Sequence, residues 1–184
     1  TKDANVLTMA NPDHPNQELL IVDLAQQAQA TLTYWQMQQH TAEFDTRHQL
    51  GAFSWHDATA SEMQRKALKH WLSGLNEDEL HPIAESYINY LQANDSVDNS
   101  ILAVLAEKTQ SSALINVLFR RSADEYSYQL LQKLPTIVDN DLAIEQLLIA
   151  TENQQLFSQS LTLLLTHYSY DQRVQDAYML ALDN

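Results

Sequence analysis

Apolar side chains recur at steps of three and four residues along most of this chain, which is the spacing of one face of an α-helix. In the N-terminal part, Leu20, Leu24, Ala28, Leu32 and Trp35 form one such row. The 184 residues include only 2 glycines, whereas a β-rich chain of this length would need many glycine-containing turns. The pattern therefore predicts an all-α protein with essentially no sheet.

The first third of the chain is expected to be less regular than the rest. Residues 1–15 are expected to form an extended arm, because two prolines oppose helix formation there. Residues 16–59 are expected to hold one helix that ends near His40 or breaks at 31–33, followed by a loop or broken helix around Gly51. Residues 60–184 are expected to be a helical-repeat region that packs with 16–59 as one domain.

Four helix pairs are expected in the remainder. Ser61 or Thr59, Asn76, Asp124 and Asp139 are residue types that cap helix N-termini, and each precedes an apolar row. Pro82 lies late for a first helical turn, so the regular part of its helix is expected to begin near His81. The pairs are expected at about 61–93, 97–121, 124–152 and 155–183.

The last two pairs align with each other without a gap at a period of 31 residues, with 123–153 falling on 154–184. A period in this range is typical of stacked helical repeats. Five aligned positions are identical: Ser127 and Ser158, Leu130 and Leu161, Leu134 and Leu165, Ala150 and Ala181, Asn153 and Asn184. In this register we expect six side chains to be buried between helices: Leu130, Leu134, Leu147, Leu161, Leu165 and Tyr178.

This architecture resembles HEAT-like and related α-helical solenoids. The resemblance covers about residues 60–184 and is architectural, because the period is shorter than the ~40 residues of HEAT repeats and the tetratricopeptide pattern is absent. It implies stacked antiparallel helix pairs that form a short α-solenoid. A non-repetitive helical bundle is the alternative.

The chain is strongly acidic, with 10 Lys and Arg against 24 Asp and Glu and a net charge of −14. Because nucleic-acid binding needs clustered basic residues, this balance argues against a nucleic-acid partner and against anionic membrane surfaces. It is typical of a solvated, soluble surface and also suits a protein partner with a basic patch. No apolar run approaches the ~20 residues of a membrane span.

Composition also excludes several chemistries. With glycine only at 51 and 74 there is no Gly-rich phosphate loop or dinucleotide fingerprint. The chain has no cysteine, which removes disulfides and thiol chemistry and favours a periplasmic or secreted protein slightly over a cytoplasmic one. No catalytic or cofactor-binding residue is predicted. Since the chain starts at Thr1 without Met, we expect a processed product or a piece of a longer protein.

Residues 40–57 concentrate histidine and carboxylate side chains. A histidine and an acid three positions apart on a helix share a face, as in carboxylate–metal sites. The candidate ligands are His40, Glu43, Asp45, His48, His56 and Asp57. A metal site needs three or four convergent ligands, so the simpler interpretation is a polar connecting segment without a metal.

Two features point to protein binding. Tyr128 and Tyr170 lie off the main apolar rows of the repeats, and tyrosine is favoured at binding hot spots. Leu180 and Leu182 leave the final helix more apolar than a solvated terminal repeat should be. We expect this edge to dock a partner, to form a homodimer, or to be covered by further chain.

Two functional hypotheses follow. The first is a non-enzymatic protein–protein interaction or scaffold module of helical repeats. The alternative is a metal-dependent enzyme or metal-binding domain centred on 40–57.

Overall fold

The computed structural model describes residues 15–94, 97–121 and 123–184, with the side chains of the first helix described from Leu24 onward. All regular structure within these ranges is helical, which confirms the all-α prediction. The helices are α1 Pro15–Gln49, α2 Trp55–Ala58, α3 Glu62–Gly74, α4 Glu77–Ala93, α5 Asn99–Thr109, α6 Ser112–Arg120, α7 Glu125–Ile137, α8 Asn140–Ala150, α9 Phe157–Tyr168 and α10 Gln172–Leu182. The expected arm at 1–15 lies outside the described residues except for Pro15, where α1 begins.

The chain divides into two compact units at Trp71 and Leu72, within α3. The first unit contains α1, α2 and most of α3, and the second contains the helices from α4 to α10. In the described part of the chain no helix is both long and apolar enough to span a lipid bilayer.

Helix α1 is longer than expected. It runs without a break to Gln49, so the prediction that it ends near His40 or breaks at 31–33 was wrong. Its threonines donate to carbonyls four residues back, as Thr31 does to Gln27 (2.8 Å) and Thr41 to Met37 (2.8 Å). These hydroxyls bond within the helix instead of interrupting it. The irregular segment is reduced to the turn around Gly51 and the single-turn helix α2.

The predicted N-caps are confirmed where a side chain accepts a backbone N–H. Ser61 accepts from Gln64, Asn76 from Glu79, and Asp139 from Leu142. Asp124 accepts from Tyr126 and Ser127. Each such cap contributes about 0.5–2 kcal/mol, which explains why local residue types mark these helix starts.

The expectation that Pro82 delays the start of its helix was wrong. Helix α4 begins at Glu77, because Asn76 and Glu79 form a reciprocal capping box that holds the first turn. Pro82 then lies within the helix, where it removes one backbone donor without ending the helix.

The core of the second unit is built from recurring apolar positions. Ile101, Leu102 and Leu105 of α5 are fully buried, and Leu130, Leu131 and Leu134 repeat the same spacing in α7. Within this unit α5 packs on α6 and α7, α6 on α8, α7 on α8 and α9, and α10 on α8 and α9. Successive odd-numbered helices from α5 to α9 thus contact each other, as do successive even-numbered helices from α6 to α10.

The predicted burial holds for the first three of six residues and fails for the rest. Leu130, Leu134 and Leu147 are buried, and Leu161 is half-buried. Leu165 and Tyr178 are wrong predictions, because they are 36% and 40% exposed. Helix α9 instead buries Leu156, Ser160, Leu164 and Tyr168 at four-residue steps, so its inner face lies one position away from the expected one, about 100° around the helix.

Gln146 is an unusual member of this core. It is fully buried in α8, and neither its Nε2 nor its Oε1 has a hydrogen-bond partner. A buried amide without partners costs about 1–3 kcal/mol. We expect Gln146→Met to raise the free energy of unfolding by about 1–2 kcal/mol in urea denaturation.

The control for this change is Gln129→Met at an exposed position of α7, which should stay within about 0.5 kcal/mol of the wild type. A loss of stability from Gln146→Met would show that the amide is hydrogen-bonded in solution.

Candidate functional site: a row of grooves

The first candidate region, residues 40–57, is organised around Arg47. Its guanidinium lies 2.7 Å from Glu43 Oε1 and 3.8 Å from Asp57 Oδ2, beside a groove of about 260 Å³ lined in part by these three residues. Because an arginine is always charged, it neutralises both carboxylates and repels a metal cation from the same place.

The other candidate ligands point elsewhere. Asp45 accepts from Trp71 Nε1 (3.4 Å) and Gln49 Nε2 (3.0 Å). His48 packs edge-on against Trp71 with ring centroids 5.6 Å apart, and His40 Nδ1 lies 3.9 Å from Glu43 Oε2. His56 is exposed on α2. Across the described ranges no three histidine and carboxylate residues are close enough to hold a metal ion.

We expect the protein, purified without a tag, to contain no stoichiometric zinc, iron or manganese by elemental analysis. The reason is that Arg47 occupies the carboxylates of Glu43 and Asp57, and within the described ranges no three candidate ligands converge. Stoichiometric metal that is lost in His48→Ala would restore the metal-site hypothesis.

The two tyrosine candidates differ. The hydroxyl of Tyr128 donates to the carbonyl of Gln155 at 3.1 Å, so this half-buried side chain ties α7 to the connection between α8 and α9. Tyr170, in the turn between α9 and α10, is 67% exposed and packs edge-on to Tyr168. Only Tyr170 keeps most of its ring available to a partner.

The C-terminal edge carries more apolar surface. Leu180 is 66% exposed, Leu182 is 61% exposed and Met179, on the same helix, is 59% exposed. Leu180 lines a groove of about 450 Å³, which we call the third groove. Its lining residues come from the end of α8, from α9 and from α10: Thr151, Glu152, Phe157, Leu161, Ala177, Leu180, Ala181 and Asn184.

Two further grooves continue from the third. The second groove, about 600 Å³, lies between the ends of α6 and α8 and is lined by Phe119, Arg120, Arg121, Ile149 and 152–155. The first groove, about 310 Å³, lies between α4 and α6 and is lined by Ile88, Leu91, Gln92, Asn94, Val97, Ala113, Val117 and Arg121. Arg121 lines both the first and second grooves, and Glu152 both the second and third. The three grooves therefore adjoin, and we call them together the groove row.

No family model, curated protein or solved structure matches this chain. The geometry of the described residues therefore carries the functional argument alone.

The second and third grooves are related by the sequence period. Adding 31 converts Arg120 to Thr151, Arg121 to Glu152, Ile149 to Leu180 and Asn153 to Asn184, and each member of these pairs lines its own groove. Asn153 Nδ2 donates to the carbonyls of Phe119 (3.0 Å) and Arg121 (2.8 Å), which end α6. The same register that misplaces the buried face of α9 thus matches the groove walls.

The chemistry changes along the row. Aliphatic side chains of α9 and α10 dominate the third groove. In the second groove Arg120 lies 3.4 Å from Glu152 across the opening, and Arg121 donates to Asn99 Oδ1 (2.9 Å) and the Val97 carbonyl (3.3 Å). The row therefore offers an apolar end, a polar middle and a mixed end.

The second unit carries most of the net negative charge of the chain. Residues 72–184 contain 16 acids and 5 bases, a net −11 of the total −14. Arg120, Arg121, Lys133 and Arg173 are each bound to another side chain of the unit, and Lys108 donates to the carbonyl of Ser73. These five basic side chains all bind groups of the same unit, so the surface that a partner contacts has more acidic than basic side chains.

The short link between α9 and α10 supplies one example of this engagement. Arg173 binds Asp171 Oδ2 (3.0 Å) and Asp141 Oδ1 (2.8 Å). The hydrogen bond from Arg173 lowers the pKa of the Asp171 carboxyl. Because the folded pKa is lowered, this contribution to stability is present above the unfolded pKa and is lost as the pH falls through the folded value.

Of the groove-row residues, Leu180 is predicted from the sequence and the others are not. The groove walls come from residues about 30 positions apart, which become neighbours only when successive helices pack. The signal that could have found them is the 31-residue period itself, applied to exposed residues at helix ends as well as to the core.

Proposed function

We propose that this protein is a non-enzymatic interaction module whose second unit is a short α-solenoid, and that the groove row receives an extended segment of a protein partner. The observation that carries the proposal is the recurrence of groove-lining residues at an offset of 31 between the second and third grooves. In a helical-repeat array each repeat presents the same surface element, and neighbouring elements join into an extended binding surface.

The packing within the second unit supports the solenoid arrangement over a non-repetitive bundle. Helices α5, α7 and α9 contact in sequence, and α6, α8 and α10 contact in sequence. Two parallel layers of this kind are what stacked helix pairs produce, as in the HEAT-like class that the sequence resembles.

The spacing of the grooves sets the length of the partner segment. The first and third grooves are separated by two helix-to-helix steps of about 8–10 Å each, or about 16–20 Å. An extended chain rises about 3.3 Å per residue, so five or six residues cover this distance. The segment should place one apolar anchor at Leu180 and another at Ala113, with polar residues opposite Arg120 and Glu152.

The surplus of acids supports a partner with basic flanks. Complementary charge speeds encounter and suppresses wrong partners more than it adds affinity. The anchors supply affinity instead, because the apolar third groove is desolvated when it is filled.

A displayed library of random peptides tests the proposal directly. We expect selection on the full chain to enrich peptides with two apolar residues five or six positions apart and Lys or Arg outside them. Leu180→Asp should weaken the binding of a selected peptide by about tenfold or more, since it puts a charge into the apolar groove. Ala113→Asp should do the same at the other end.

Matched controls separate the grooves from general charge effects. Met179 is 59% exposed next to Leu180, and Ser112 is exposed next to Ala113, but neither lines the groove row. Met179→Asp and Ser112→Asp should leave peptide affinity within about twofold. Equal losses from target and control variants, or a selection that enriches no such spacing, would contradict the proposal.

A further inference from the structure

The two halves of α1 present apolar side chains on opposite faces. Phe44 is buried against Phe53 and Trp71 within the first unit. Trp35 precedes Phe44 by nine residues, which is two and a half helical turns. The row formed by Leu24, Ala28, Leu32 and Trp35 therefore faces away from the side on which α1 packs, and we call it the outer face of α1.

The outer face is exposed along its length. Leu24 is 56%, Leu32 52% and Trp35 64% exposed, and of residues 24–36 only Ala25 is half-buried while the others are exposed. The ring of Tyr34 packs edge-on against the ring of Trp35, with the ring centroids 5.9 Å apart. Helices in proteins gain most of their stability from packing of an apolar face rather than from helix propensity. This part of α1 thus has an exposed apolar row, and packing against that row would stabilise the helix.

The surroundings of the outer face have no charge. Between Leu24 and Gln39 there is no Asp, Glu, Lys or Arg, in a chain whose net charge is −14. Six glutamines stand in this stretch instead: Gln26, Gln27, Gln29, Gln36, Gln38 and Gln39. A glutamine amide both donates and accepts hydrogen bonds, so a glutamine surface is complementary to itself.

We propose that α1 pairs with α1 of a second copy of this chain through the outer face. Two copies repel each other elsewhere because each is strongly acidic, and this uncharged stretch lets them meet without like-charge contact. The stretch has no acidic side chain that would attract a basic partner and no basic side chain that would attract an anionic membrane. The exposed Trp35, with Tyr34 beside it, supplies aromatic surface of the kind found at interface hot spots.

Analytical ultracentrifugation of the full chain over a range of concentrations tests the pairing. We expect a monomer–dimer equilibrium. The hydrogen exchange of the backbone amides of residues 24–36 should slow as the fraction of dimer increases. The double variant Leu32→Glu with Trp35→Glu places like charges across the interface and should weaken dimerisation by about tenfold or more.

The matched control adds the same two charges to the other side of the same helix. Gln26 and Thr33 are exposed and lie nearly opposite the outer face. Gln26→Glu with Thr33→Glu should leave the dimer within about threefold of the wild type. Since all four positions are exposed, the far-ultraviolet circular dichroism of each full-chain variant, compared as monomers, should be unchanged.

Three results would overturn the proposal. They are a strict monomer at every concentration, a dimer equally weakened by both double variants, and a dimer broken by Leu180→Asp but not by the outer-face charges. The last result would assign dimerisation to the third groove. The first two results leave the peptide selection on the groove row unaffected, whereas in the third a selected peptide and the second copy would compete for the same groove.

Discussion

Replacing Leu164 by alanine is expected to lower the free energy of unfolding by about 2–5 kcal/mol, the usual range for a buried leucine. Leu164 is fully buried in α9, and α9 packs on α7, α8 and α10, so truncation leaves a cavity between helices that cannot all move to fill it. Urea denaturation followed by circular dichroism measures the loss.

Leu165→Ala is the matched control, since the same side chain is removed one position along the same helix. Leu165 is 36% exposed, and its truncation should cost less than about 1 kcal/mol. If Leu165→Ala proved the more damaging change, the inner face of α9 would lie where the 31-residue alignment placed it, and the packing described for α9 would be wrong.

Replacing Trp71 by alanine is expected to destabilise the first unit by about 3–5 kcal/mol. Trp71 is 4% exposed, and its ring packs against Phe44 (6.1 Å), Phe53 (5.4 Å) and His48 (5.6 Å). Its Nε1 also donates to Asp45, so the change removes both an aromatic cluster and a hydrogen bond.

Tryptophan emission reports this change, because the 3 tryptophans, at positions 35, 55 and 71, all belong to the first unit. Trp55, 6% exposed, remains as the buried reporter in the variant. Tyr170→Ala, at a side chain that is 67% exposed, should shift stability by less than about 0.5 kcal/mol. A loss below about 1 kcal/mol from Trp71→Ala would mean that the cluster does not hold the first unit together.

Helix type and helix starts could be predicted from sequence because their causes are local. Asn76, Asp124 and Asp139 cap helices within three residues of themselves, and apolar spacing reports a helical face without reference to any neighbour. The all-α class and the placement of helices from Glu62 onward follow from these two signals.

The predictions were wrong where contacts with other helices, rather than local sequence, determine the structure. Helix α9 starts at Leu156 without a side-chain cap, so nothing local fixes its register after the turns at 151–156. Which leucines point inward then depends on where α7, α8 and α10 meet α9. The prediction that α1 ends near His40 was wrong for a related reason. Threonine and glutamine are compatible with a loop and also with a helix, so residue types alone did not decide where α1 ends.

The candidate sites show the same division. The spacing of His40, Glu43, Asp45 and His48 on one helix is real, yet Arg47 and Trp71 determine what the acids bind. Leu180 could be recognised as exposed from its own helix. The groove row could not, because Arg121 and Glu152 become shared walls only through packing of successive helices.

The most direct test of the account is a photo-crosslinking map of a peptide selected on this chain. A photoreactive residue at Ala113, Gln154 or Leu180 samples the first, second or third groove, and one at Gln129 or Ser158 samples exposed sites on α7 and α9 outside the row. We predict that one peptide crosslinks from all three groove positions, with its residues in linear order, and from neither control. Crosslinks from Gln129 or Ser158, or from a single groove alone, would contradict it.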